Sequence, residues 1–488
     1  MDDITLGGLA IDVASDITMF RTLGTAIGLI LNDQKCEVIS TEGQTNETTL
    51  QHFIQCTPSS SMLLGAPLMQ GSAMDTCLQQ RCCELERAIS KLQMITAHDA
   101  LVILRASFSA PSMLHTLRAS ACYNHILLSE FDNLLRSALC KICNITLSDN
   151  QWIQASLPVR AGGLGIRRVT SLAQSAFLAS AVATRELQDQ ILQSNSLMTD
   201  YVVEKCLFTW LNIKELLVPT QIHARKQQSW DNPIVEREFS TLLQLCTDDF
   251  DKARLLAAAS KHSADWLHAI PITSCGLRLD DDAVRTAVGL RLGVEICQPH
   301  LCHCGAMADT KGSHALSCKR SNGRLIRHNH LNDIIQRSFT RAGIPSTREP
   351  HGLLRTDGKR PDGITLTPWR EGRCLIWDVT IANTTAASYL HDNASKAGSA
   401  AEFAATRKES KYAELSNRYY FVPIAIESLG PLNSKATSFI SELGRRITIQ
   451  TADRRETTYL FQRISIALQR FNSICIYDTF HDILLDED

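Results

Sequence analysis

Four residues that bind soft metals fall within one short stretch: Cys302, Cys304, His314 and Cys318, spaced C-x-C-x9-H-x3-C. Three thiolates and an imidazole complete a tetrahedral set for Zn²⁺, and glycines between them let the backbone turn round an ion. All four ligands are protein groups and no position stays open, so the predicted site is structural. Cys297, His300 and His303 are spares, and coincidence in a chain of 17 cysteines is the competing explanation. Cys82 and Cys83, on a helical pattern, read as small apolar core groups.

A second constellation is "DGKRPDGITLTPWREGRCLIWDVTI". Asp362 heads one strand-like run, and Asp378 is embedded in the next, between Trp377 and Val379. A carboxylate inside so apolar a strand must be paired, hydrogen-bonded or metal-bound, because a lone buried charge is very costly. A hairpin between the runs would bring both acids together as hard oxygen ligands suited to Mg²⁺ or Mn²⁺. The helical pattern that follows carries Glu402, Arg407, Lys408 and Lys411, with Lys408 and Lys411 on one face. Two acids, a metal and a lysine can hydrolyse a phosphodiester. Equally, the same residues could make one buried Asp–Lys pair and a solvated basic face. Local charge favours the first: from Cys318 to Cys374 there are twelve Lys and Arg against five Asp and Glu, in a chain whose net charge is −2. That excess suits a phosphate-bearing partner, with Arg324, Arg327, Lys359 and Arg360 as candidate nucleic-acid contacts.

The elements that must position these groups divide by texture. The 488 residues, 44% apolar, suffice for two to four domains. Near the start, Ile4–Leu6 reads as a strand, Asp12–Leu31 as a helix, and Lys35–Ser40 and Ser59–Leu68 as strands. From Asp75 to Leu292 nearly everything has helical periodicity, with runs over Asp75–Ile95, His98–Arg118, Asn124–Cys143, Val169–Asn195, Thr199–Gln228, Val235–Ile270 and Asp281–Leu292. Beyond Pro299 strand runs return at Gly363–Pro368, Cys374–Ile381 and Tyr419–Glu427. Helical runs lie around them at Arg324–Ala342, Lys396–Leu415, Ser434–Thr448 and Thr457–Ser473. No apolar run approaches the ~20 residues of a membrane span. Many cysteines without a leader-like start point to reduced thiols inside a cell.

The order of the Cys/His cluster, "GRLIRHNHLN", "KRPDGITL", "IWDVTI" and "KESKY" resembles the restriction-like endonuclease of site-specific non-LTR retrotransposon proteins, a branch of the PD-(D/E)xK superfamily. The resemblance makes Pro361-Asp362 the "PD" and Asp378 the second acid. Thr380 stands where the usual lysine would be, so the catalytic lysine is displaced to Lys408 or Lys411. Glu349 could match an acid that some members carry before the core, with a surface salt bridge as its other reading. "MDD" resembles the end of the aromatic-x-Asp-Asp hairpin of reverse transcriptases, making Asp2 and Asp3 a remnant of the polymerase motif. "GLILNDQKCEVI", "LLGAPL" and "LPVRAGGLGIRRV" resemble later parts of such proteins.

The implied architecture is α+β and multidomain: a truncated palm remnant over 1–70, an all-helical thumb and linker region over 71–295, a zinc knuckle over 296–320, and a restriction-endonuclease-like α/β core over 321–488. The implied activity is Mg²⁺- or Mn²⁺-dependent nicking of DNA to supply a 3′-hydroxyl primer, with polymerase activity lost. DNA and element RNA would be the partners, without a membrane, in the nucleus. The alternative is a catalytically inactive nucleic-acid-binding fragment.

Overall fold

The computed structural model describes residues 4–40, 47–192, 200–212, 217–353 and 360–480. The fold is mixed α+β, with helices dominating and small sheets. The chain divides into two compact units built from interleaved stretches.

The first unit comprises 1–86, 111–132 and 169–231. Helix Ala10–Ala26 turns Ala14 inward, where Leu50 and Phe53 form a small core with Val13, Ile17, Cys36 and Val38. Strands Glu37–Ile39 and Ile54–Cys56 pair in parallel. Ile4–Leu6 is not a strand: among the described residues nothing pairs with it, and Ile4 is exposed. The strand expected over Ser59–Leu68 is instead a tight hairpin, Met62–Leu63 against Ala66–Pro67. Leu64 and Gly65 both take positive φ at its tip, the backbone geometry of a two-residue turn between strands. Trp210 and Trp230 meet edge to face at 5.0 Å, and the Trp230 indole N–H donates to the Ala224 carbonyl at 2.7 Å.

Between Ser72 and Leu292 the described residues contain no strand. Several expected long helices are broken. His98–Arg118 is Ala97–Ile103, a π-helical turn Leu104–Phe108, and Ala110–Ala119, in which Pro111 takes the second position, where its missing N–H costs little. Val235–Ile270 is likewise cut at 246–248 and 260–264, while helix Gln227–Leu245 runs through Pro233. The stretch Ala97–Ala119 is, against expectation, long and apolar enough to cross a membrane by length and composition. Its Asp99 nevertheless ion-pairs with Arg278 at 2.9 Å, and its buried His98 accepts the Leu279 N–H at 3.0 Å.

The second unit comprises 87–110, 133–168 and 232–488. Its centre is a four-stranded sheet with helices on both faces. In chain order the elements are α1 (Asn322–Arg341), β1 (Ser346–Arg348), β2 (Gly363–Arg370), β3 (Arg373–Ala382), α2 (Ser399–Lys411), β4 (Tyr420–Glu427), α3 (Ser434–Thr451) and α4 (Glu456–Tyr477). The strand order is β4-β3-β2-β1, with β4 parallel to β3 and the other pairs antiparallel. Alternation along β3 sets the two faces. Leu375, Trp377 and Val379 join Val422, Ile424 and Ile426 of β4 beneath α1, α3 and α4. Ile376 faces the other way, with Tyr412 and Phe421, while Ala401 and Ala405 of α2 pack on Ala425. Asp378 shares the parity of Ile376, so it meets α2.

Candidate active site and metal centre

The Cys/His loop folds as a hairpin, His300–Leu301 against Met307–Ala308, closed by Cys302 N–H to Ala306 O (2.9 Å) and Gly305 N–H to Cys302 O (2.8 Å). Gly305 supplies the positive φ that the turn needs. The short helix Ser313–Ser317 then brings in His314, and Cys318 follows it. The Asp309 carboxylate accepts the backbone N–H groups of Lys311, Ser313 and His314 and so fixes that helix against the hairpin.

Sγ of Cys302 lies 3.6 Å from Sγ of Cys318, and Sγ of Cys304 lies 3.3 Å from Nε2 of His314. All four ligand atoms fall within 4.8 Å of one another. Bonds of ~2.3 Å to sulfur and ~2.0 Å to nitrogen in a tetrahedron put ligand atoms about 3.5–3.8 Å apart, so the cluster can hold a metal such as zinc. In the protein alone, burial pushes the Cys302 thiol up to about 11, while the Ala306 backbone holds Cys304 below its ordinary value. The spares are used elsewhere. His300 meets Gln298 O and Thr479 Oγ1, His303 meets Phe480 O, and the Cys297 thiol donates to Asp309 O.

The two acids come from adjacent strands. Asp362 stands just ahead of β2, past the end of its ladder with β3. Its N–H donates to Trp377 O at 2.9 Å, and its Oδ2 accepts the Val379 N–H at 2.7 Å. The following Gly363 is required by packing: a Cβ there would lie 2.1 Å from the buried Trp377 ring. Two residues not singled out in the sequence also hold Asp362, His328 and Asn332 of α1. Their Nε2 and Nδ2 donate to Oδ2 at 3.1 and 3.0 Å.

Asp378 is 2% exposed, and Lys408 Nζ lies 2.5 Å from its Oδ1. Lys408 therefore forms a close, charge-assisted ion pair with the buried carboxylate. Burial, and next the neighbouring Asp362 charge, raise the Asp378 carboxyl above its ordinary range against the pull of Lys408 and Tyr412. For Asp362 burial also acts upward, but the His328 hydrogen bond and charge, with Asn332 and the Val379 N–H, outweigh it and leave the carboxyl low. His328 is correspondingly raised, first by its bond to Asp362. The two neighbouring acids are thus pushed in opposite directions, Asp362 down and Asp378 up.

Of the two candidate lysines, Lys408 reaches Asp378, whereas Lys411 Nζ donates to Tyr412 Oη at 2.7 Å. That hydroxyl donates in turn to Arg360 O at 2.7 Å. Glu349 pairs with Arg360, the salt-bridge reading of that residue. Arg324 is half-buried and donates to the carbonyls of Ser317 and Cys318 at the end of the Cys/His loop.

Arg327 must be corrected as a nucleic-acid contact. It is 2% exposed, donating to Asn472 Oδ1 at 2.7 Å and Leu316 O at 3.2 Å, so no phosphate can reach it. The signal was in the sequence: Arg327 lies on the i+4 stripe of Leu331, Ile335 and Phe339, the buried face of α1. Asp2, Asp3 and Lys359 lie outside the described residues. No protein-family model matches this chain, and no curated protein matches it.

Proposed function

We propose that this chain is a divalent-metal-dependent DNA endonuclease of the restriction-like kind that its motifs resemble. The observation that carries the reading is the convergence of Asp362 and Asp378 from adjacent strands with Lys408 on Asp378 Oδ1. On this reading 321–488 is the nuclease core and 296–320 its zinc knuckle. Residues 1–70 and 71–295 correspond to palm-like and thumb-and-linker parts, DNA and element RNA are the partners, and the nucleus is the place of action.

The residues fit a hard cation. Asp378 is a buried carboxylate beside a second one, and carboxylate oxygens of this kind are what Mg²⁺ or Mn²⁺ takes, once Lys408 yields its place on Oδ1. When bound, the ion supplies charge stabilisation at the phosphate and acidifies water. Asp362 and Asp378 would hold it. Lys408 would leave its contact with Asp378 to meet charge developing on the phosphate or to orient the attacking water. Arg360, 30% exposed, and the half-buried Arg324 offer positive charge for the flanking backbone.

One observation favours a second reading: the 2.5 Å Lys408–Asp378 contact is also what a purely structural buried pair would show. A nicking assay on supercoiled DNA with Mg²⁺ or Mn²⁺ separates the two. The nuclease reading expects Asp362→Ala and Asp378→Asn to abolish cleavage with the melting temperature nearly kept. A structural pair expects Asp378→Asn to leave the lysine charge unpaired and to cost roughly 3–5 kcal/mol of stability, in a wild type that never cleaves.

A further inference from the structure

The two oxygens of Asp362 are treated differently by the fold. Oδ2 accepts three hydrogen bonds, from Val379 N–H, Asn332 Nδ2 and His328 Nε2. Oδ1 accepts none among the described residues. A carboxylate has about four lone-pair sites over its two oxygens, so three donors exhaust Oδ2. We infer that His328 and Asn332 are positioning residues, which tie down Oδ2 so that Oδ1 alone is presented to a divalent ion. The inference rests on the nuclease reading above.

The donors themselves are fixed. Asn332 Oδ1 accepts the indole N–H of Trp377 at 3.0 Å, and Trp377 is wholly buried. The amide therefore cannot flip, and its NH₂ must face Asp362. His328 Nε2 lies 3.1 Å from Asp362 Oδ2 and also 3.1 Å from Val379 O. These two nearest neighbours are acceptors, and the Asn332 amide nitrogen, itself committed to Asp362, stands farther off at 3.4 Å, so Nε2 carries a hydrogen and acts as a donor. His328 and Asn332 are four residues apart and share one side of α1. The core tryptophan thus sets Asn332, and Asn332 with His328 sets the acid. Fixed donors behind a metal-ligating carboxylate matter because groups in that position commonly contribute 10–100-fold to metal affinity.

The experiment uses the full-length, zinc-loaded chain with Mn²⁺ as probe, its free concentration read by electron paramagnetic resonance, beside melting temperature and the nicking assay. The expected result is that His328→Ala weakens Mn²⁺ binding by about tenfold or more at a nearly unchanged melting temperature. His328→Gln, whose amide N–H can stand where Nε2 stood, should recover most of that loss, whereas the shorter His328→Asn should not. If His328→Ala fails to fold, the Gln and Asn variants carry the comparison. Equal Mn²⁺ affinity for the folded variants and the wild type overturns the positioning role while leaving a cleaving wild type as a nuclease. A wild type that neither binds Mn²⁺ nor nicks DNA overturns both.

Discussion

At the scale of single residues, what a side chain touches outranks what its type suggests. Arg327 belongs by type to a basic stretch, but its guanidinium lies between helices, where burial lowers its pKa. Arg327→Met should therefore cost about 1–3 kcal/mol by leaving the acceptors Asn472 Oδ1 and Leu316 O without a donor. On the proposed nuclease reading, it should leave the salt dependence of DNA binding unchanged, since no phosphate contact is lost. Thermal melting and a salt titration of affinity check the two halves. The same distinction explains what was legible. Cys302, Cys304, His314 and Cys318 could be read from spacing, because a metal site of this kind is built within one loop. His328 and Asn332 could not, because their value lies in a carboxylate 30 or more residues away.

At the scale of elements, β3 and β4 were readable because apolar residues run through them almost unbroken, as strands covered on both faces do, whereas β2 was readable from its alternation of apolar residues with Thr365 and Thr367. The helical breaks were not, because a π turn at Leu104–Phe108 or a cut near 260–264 leaves little mark on hydrophobic period. The start of α2 shows a further element-level device. Gly398 caps it with no side chain, and Glu427 at the end of β4 supplies the missing acceptor, taking the Ala401 N–H at 3.2 Å. Asn393 completes the cap by accepting the Ala400 N–H at 3.0 Å. Burial pushes Glu427 up to about 7 from 4.5. Below about pH 4.5 folded and unfolded chains both hold this proton, and the stability it confers is complete. Between about 4.5 and 7 the unfolded chain releases the proton and the folded chain keeps it, so stability falls as pH rises, and above about 7 the loss levels off. At ~1.4 kcal/mol per unit the change amounts to about 3 kcal/mol. Glu427→Gln should remove that slope from a series of melts between pH 4.5 and 7.5, and an unchanged slope would assign it to other groups.

At the scale of the whole molecule, a near-neutral chain concentrates its cationic surplus in one stretch of its second unit, beside the paired acids. Composition taken over the full length hides this, and only the local count reveals it. The same unit fastens its Cys/His loop to the sheet through α1. Arg324 at the root of that helix holds the carbonyls of Ser317 and Cys318, and Arg327, one turn on, holds that of Leu316. His328 is the very next residue. The loop is thus an anchor plate and α1 a beam bolted to it, with the Asp362 carboxylate resting on the beam. Loosening the plate should let the beam shift. Cys304→Ser should abolish stoichiometric zinc, lower the melting temperature, and also weaken Mn²⁺ binding at Asp362, although it touches neither acid. Metal analysis and Mn²⁺ titration of that variant read the linkage directly, and wild-type Mn²⁺ affinity in the zinc-free protein would show two independent sites. Through this joint, supply of one metal would govern use of another, and zinc scarcity would silence a site that holds no zinc.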